Sequence, residues 1–328
     1  MYNPLKETAG KVPQSPAITH PPRPFNRLMP PMSSSAPQPL NGTRILSLAL
    51  NLPGPAALMR CARMGAATCT KLEPLAAAPH TSADPMSLYS PQAYTDMHQG
   101  IRVVQAHLKT EEGQAALHTE LECTDVLITS FRPSALTKLG LGWDALQARY
   151  PRLSLVRIVG AAGERAEEPG HDLTYLADAG LATGTEMPPT LYADMGGALM
   201  ASEAVLQALL VRAQTGQGTL LEVALADAAA WLAQPRHWGL TTPDGDVGGA
   251  HAGYRIYPCA DGRVAVAALE PHFAARLCAA AGLPAVGDGP TLRAPATHEA
   301  VANFIRTQTR AQLDALALAQ DIPLHTLA

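Results

Sequence analysis

The stretch TRILSLALNLPGPAALMRCARMGAATCTKLEP, residues 43–74, decides the fold class. TRILSLAL (43–50) is an apolar run of strand length and NLPGP (51–55) is a turn. AALMRCARMG (56–65) is rich in helix formers, and AATCTKLEP (66–74) returns to strand character. Two strands joined through a helix must lie parallel, with a right-handed crossover between them. Such a sheet is covered by helices on both faces, so the chain is expected to be α/β and Rossmann-like. The turn holds one glycine and no GxGxxG, so a dinucleotide site does not follow.

The pattern continues downstream. IRVVQAHL (101–108), DVLITSF (125–131) and LSLVRIVG (153–160) read as further strands. EEGQAALHTEL (111–121) and RPSALTKLGLGWDALQARYP (132–151) read as the helices between them, and residues 75–100 as a long loop. The large domain is expected over 43–218, closed by the turn TGQG (215–218), with 219–240 as a linker in which TLLEVALADAAAWLAQ (219–234) starts strand-like and becomes helical. YRIYPCADGRVAVAAL (254–269) alternates on either side of Ala260-Asp261-Gly262, a hairpin signal. It opens a smaller α+β domain over 241–328 whose remainder, 272–328, reads as helices. Residues 1–42 hold ten prolines and a serine run, a composition expected of a disordered leader.

Composition narrows the class. Apolar residues make up 47% of the 328 and charged residues 16%, an ordinary globular balance. A net charge of −4 speaks against nucleic acid as the main partner. No run of eighteen apolar residues occurs, so no membrane span is expected. The five cysteines are irregularly spaced, and the histidines show no HExxH or HxH pair. Reduced thiols, a cytoplasmic location and no metal site are the corresponding expectations.

Chemistry gathers in PGHDLTYLADAG (169–180) and LYADMGGALMASEAVLQALLVRAQTG (191–216). The first offers His171. The second offers Asp194, then Met195, Gly196 and Gly197, ahead of an Ala- and Leu-rich helix expected from Ala198. Asp194 stands where an N-cap would be, and the glycines would leave backbone N–H groups bare for a ligand. A carboxylate beside such donors suits a reaction in which a carbonyl oxygen gains charge. Each feature also has a plainer reading, a helix cap and a structural histidine, and on this pair alone both readings stand.

Several separated segments resemble the class III CoA-transferase family (CaiB/BaiF type), from about Leu40 onward. The unit 43–74 looks like the family's opening strand, Gly-Pro helix start and second strand. TDVLITSFRPSALTKLGLGWDALQARYPRLSLVRIVG (124–160) looks like its "DVLxxxFRPG…LGLG…NPRL" signature, and TGQGTLLEVALADAAAWL (215–232) like "TGxGQxVDVSLxDA". GHDLTYLADAG, LYADMGGALMA and ALEPHF (268–273) are similar to its α-methylacyl-CoA racemase branch in particular. The family's arginine before the proline that ends its second strand is absent here, where Lys71 to Pro74 read KLEP. Its basic "RGKRS" stretch is HQGIRV (98–103), with Arg102 as the clear cation, and its last few dozen residues have no counterpart.

The resemblance implies a 2-methylacyl-CoA racemase that removes and returns the C2 proton of the thioester. His171 and Asp194 would be the acid–base pair, and Glu270 would fix the imidazole tautomer. Lys71, Arg102, Phe131, Arg132 and Gly196 would bind the CoA substrate, with no separate cofactor. The alternative it implies is a CoA transferase in which Asp194 attacks the thioester and forms an aspartyl-CoA intermediate. A third is a family fold kept for binding or assembly without catalysis. It further implies an intertwined homodimer, with Glu270 of one subunit facing His171 of the other.

Overall fold

The computed structural model describes residues 38–328. Six strands form one sheet: β1 (Arg44–Ser47), β2 (Thr68–Glu73), β3 (Arg102–Gln105), β4 (Val126–Thr129), β5 (Ser154–Val159) and β6 (Leu220–Ala224). Their order is β3-β2-β1-β4-β5-β6 and every pairing is parallel. The central strand β4, with every residue buried, reads as an unbroken apolar run because both its faces are covered, whereas the edge strand β3 is largely exposed. Ile45, Ile128, Val156 and Ile158 face one side, where the helices Pro53–Arg63 and Tyr192–Thr215 pack. Leu46, Leu127 and Leu155 face the other, against Leu117 and Leu121 of the helix Glu111–Leu121 and Leu136 and Leu146 of the pair expected over 132–151. Leu127 is fully buried, and truncating such a side chain to alanine costs about 2–5 kcal/mol.

The helix Tyr192–Thr215 is 24 residues long with a mean hydropathy of 1.2, long and apolar enough by composition to cross a membrane. Its inner face is Ala198, Ala201, Ala204, Val205 and Ala208, small side chains that let it lie close on the sheet. Gly216, with a φ of +75°, ends it in the left-handed conformation that glycine adopts at no cost.

Several elements differ from the sequence expectation. The stretch 219–240 is not a linker: Leu220–Ala224 is the sixth strand, paired with β5 from Leu155↔Leu220 to Val159↔Ala224. The helix Leu225–Leu232 follows it and packs beside the long helix. The turn TGQG ends a helix within the domain, and β6 completes the sheet beyond it. Residues 75–100 contain two short helices, Met86–Tyr89 and Pro91–Met97. Of the leader expected over 1–42, residues 1–37 lie outside the described residues. Leu40, by contrast, is fully buried, and its N–H donates to the Met64 carbonyl.

A second sheet has the order β7-β8-β9, all antiparallel: β7 (Tyr254–Cys259), β8 (Gly262–Ala267) and β9 (Leu324–Leu327). β7 and β8 are the expected hairpin. β9 falls where helices were expected, because four residues are too few to show a two-residue alternation. Helices Pro271–Ala280, Pro295–Thr307 and Arg310–Gln320 cover this sheet through Leu277, Val301, Ile305 and Leu313.

Candidate active site

In an open parallel sheet the chain reverses direction of winding between two strands, here β1 and β4, and leaves a crevice beyond their carboxyl ends. A pocket of about 200 Å³ occupies that place. Asn51 and Pro53 enter it after β1, Phe131 and Arg132 after β4, Gly160 after β5, and Leu225 after β6. His171, Tyr175 and Asp194 complete the wall from two further helices. Four of the eight residues expected at the site are therefore together: His171, Asp194, Phe131 and Arg132.

His171 is the N-cap of the helix Asp172–Asp178, and its N–H donates to Thr174 Oγ1 at 3.1 Å. Asp194 is on the first turn of the long helix, two residues beyond its start at Tyr192, and is half-buried. Its backbone N–H donates to Oδ1 of Asp172 at 3.0 Å. Asp172 is 5% exposed, so one carboxylate is buried beside another. Burial first, and then the Asp172 charge, push the Asp194 carboxyl up to about 6, against a smaller opposite pull from His171. A group poised there can both give and take a proton near neutral pH.

Tyr175 reaches the pocket between Gly160 and Gly170, where a Cβ on either glycine would collide with its hydroxyl. Burial, then the Asp194 charge, raise this phenol. Asp172 and Tyr175 were not singled out from sequence, although both stand in the same GHDLTY segment. Helical spacing was the available signal, since positions 171 and 175 lie one turn apart.

The remaining expected residues lie elsewhere. Gly196 and Gly197 are inside the long helix, not before it, so they do not leave bare amides at its start. The Asp194 N–H is taken by Asp172 and the Met195 N–H by the Leu191 carbonyl. The glycines serve packing: a Cβ on Gly197 would strike Leu225, and one on Gly196 would come within 3.3 Å of Ala228 and Leu232. Lys71 is fully buried, held by Asp84 and by Glu73 at 3.1 Å, so its ammonium is closed to a phosphate. Arg102 opens β3 at the amino edge of the sheet, away from the pocket, and pairs with Glu120. Glu270 is exposed at the start of the helix Pro271–Ala280 and does not line this pocket.

All five cysteines are unpaired. Burial pushes the Cys61 and Cys69 thiols up to about 12 and about 11, which leaves them without nucleophilic character near neutral pH. Among the described residues no group of three His, Cys, Asp or Glu side chains is arranged to hold a metal ion.

The model of CoA-transferase family III matches residues 40–328. The "Probable fatty acyl-CoA transferase" of Mycobacterium tuberculosis is 30% identical over 211 residues, 61% of this chain and 54% of that protein. The "Alpha-methylacyl-CoA racemase" of Homo sapiens is 31% identical over 203 residues, covering 56% and 53%. The "Succinyl-CoA--D-citramalate CoA-transferase" of Chloroflexus aurantiacus is 28% identical over 310 residues, covering 88% and 74%. The chain thus spans about half the length of the first two. The M. tuberculosis protein's crystal structure superposes with a TM-score of 0.72 at 24% identity, covering 88% of this chain and 85% of that one. A Brucella suis protein of the CAIB/BAIF family gives 0.69 at 22% identity. Both show the shared fold. The matched residues run from the first strand through the pocket to the end of the second sheet, and the chain belongs to CoA-transferase family III.

Proposed function

We propose that the protein is a 2-methylacyl-CoA racemase, moving the C2 proton of the thioester between His171 and Asp194. One of the pair takes the proton while the C–H electron pair moves toward C1 and leaves negative charge on the thioester oxygen. The other returns a proton to the opposite face, and the pair returns to C2. The observation that carries this reading is the Asp194 carboxyl raised to about 6 in a pocket it shares with a histidine. Phe131 and the exposed Arg132 on the same wall suit the CoA portion, a guanidinium being well shaped for phosphate.

Glu270 acts from a second copy in this reading, beside the partner's His171, since it stands outside its own chain's pocket. Support for a homodimer comes from the apolar surface of the long helix and its neighbours. Leu199, Trp231 and Trp238 are 50%, 72% and 66% exposed there.

A second reading, CoA transfer through an aspartyl-CoA intermediate on Asp194, is favoured by the CoA-transferases that match most of the chain. Incubation with 2-methylacyl-CoA in deuterated water separates the two. Deuterium entering C2 with the wild type, reduced on the order of 10²–10⁴-fold by His171→Ala and by Asp194→Asn, is the racemase result. A hydroxylamine-sensitive adduct on Asp194 without C2 exchange sinks it in favour of the transferase. Neither signal would leave the binding role.

A further inference from the structure

Asn51 ends the segment after β1 with a φ of +63°, in the left-handed region where a non-glycine residue is strained. A buried ion cluster holds it there. The Asn51 N–H donates to Asp84 Oδ1 at 3.1 Å, and the same oxygen accepts the Met86 N–H at 2.9 Å. Asp84 Oδ2 pairs with Lys71, which also pairs with Glu73, and all three side chains are 0% exposed. Tyr94 and Gln105 donate to Glu73 in turn, at 3.2 Å each. This cluster fixes one backbone amide on the rim of the pocket.

The side chain of that residue is free. The Asn51 carboxamide makes no hydrogen bond to a described residue, and it lines the pocket that holds His171 and Asp194. Proton removal at C2 and attack on the thioester both place negative charge on the carbonyl oxygen, which then needs a donor. The backbone amides of Asp194 and Met195, beside the catalytic carboxylate, are engaged, as described above. Ser130, Tyr175 and Arg132 on the same wall also carry donors, and Glu168 is acidic; Asn51 adds a carboxamide whose backbone the buried cluster pins in place. An amide N–H is a neutral donor that stabilises an enolate without protonating it.

We propose that Asn51 is a catalytic residue whose carboxamide N–H donates to the thioester oxygen of bound acyl-CoA. The Lys71–Asp84 pair is the positioning device that keeps it in place. This rests on the acyl-CoA reading of the pocket but holds for proton transfer and for CoA transfer alike.

The test is Asn51→Gly, which tolerates the positive φ and removes only the amide. Acyl-CoA labelled with ¹³C at C1 is bound, and its carbonyl stretch is read by infrared difference spectroscopy beside steady-state kinetics. The variant is expected to move the band to higher wavenumber and to lower kcat on the order of 10²-fold, with KM changed only a few-fold. Asp84→Asn keeps an acceptor for the Asn51 N–H but breaks the ion pair, and is expected to give an intermediate band with kcat reduced. An unchanged band with kcat within about twofold in Asn51→Gly overturns the assignment of Asn51. An unchanged band in Asp84→Asn, whatever its melting temperature, overturns the positioning role. No bound carbonyl band in any of the proteins, the wild type included, brings down the acyl-CoA reading itself, and this proposal with it.

Discussion

Replacing Asp194 by asparagine should make the protein more stable at neutral pH while removing its activity. The Asp194 carboxyl lies at about 6 in the folded chain against 3.8 as its reference value, a shift of about two units. At 1.36 kcal/mol per unit that is about 3 kcal/mol for a fully enclosed group. Asp194 is half-buried, and solvent screening brings the figure to about 1.5 kcal/mol. The sign follows from proton counting. Between pH 3.8 and about 6 the folded state holds the proton more tightly than the unfolded chain does. The wild type is therefore best off below pH 3.8 and loses stability as the pH climbs through about 6. Asparagine has nothing to ionise and keeps the amide shape. The wild type and Asp194→Asn should melt together near pH 4. At pH 7.5 the variant should melt about 3–6 °C higher, since 1 kcal/mol corresponds to about 2–4 °C in domains of moderate size. Thermal unfolding across pH 4–8 reads this directly. Equal melting temperatures at both ends, or an advantage present only at low pH, would refute the raised carboxyl and the acid–base role built on it.

Four further outcomes follow from the same geometry. Lys71→Met leaves Glu73 and Asp84 as buried, unpaired carboxylates and should cost about 3–5 kcal/mol in urea unfolding. Arg102→Ala, at a half-exposed pair, should cost under about 1 kcal/mol, and a Lys71→Met loss of that size would contradict the burial seen for Lys71. Asp172→Asn retains an oxygen for the Asp194 N–H but removes the second cause of its raised carboxyl. Its acid limb in kcat/KM should move to lower pH, and a limb that stays put would dismiss Asp172 as a tuning charge. Trp231→Arg, on the exposed apolar surface, should shift sedimentation from dimer toward monomer; a variant that still sediments as a dimer removes this surface from the interface.

The large sheet was legible because a strand buried on both faces leaves little choice of residue: DVLITSF and LSLVRIVG have no polar face to disguise them. That His171 and Asp194 would share a pocket was expected for a different reason, through segments similar to a known family. What stayed hidden was decided by contacts distant in sequence. Asp-Met-Gly-Gly reads as a cap and a bare turn because each glycine disfavours a helix by about 1 kcal/mol. The helix nevertheless begins at Tyr192, since those glycines are where Leu225, Ala228 and Leu232 of a neighbouring helix press against it. The same cause explains Lys71. A lysine two residues from the end of a strand looks available to a phosphate. Asp84, thirteen positions on in a segment without strand or helix signal, folds back and encloses it. Burying that charge makes sense only as part of the loop that grips Asn51, so a residue expected to meet the substrate is better placed to shape the pocket from behind.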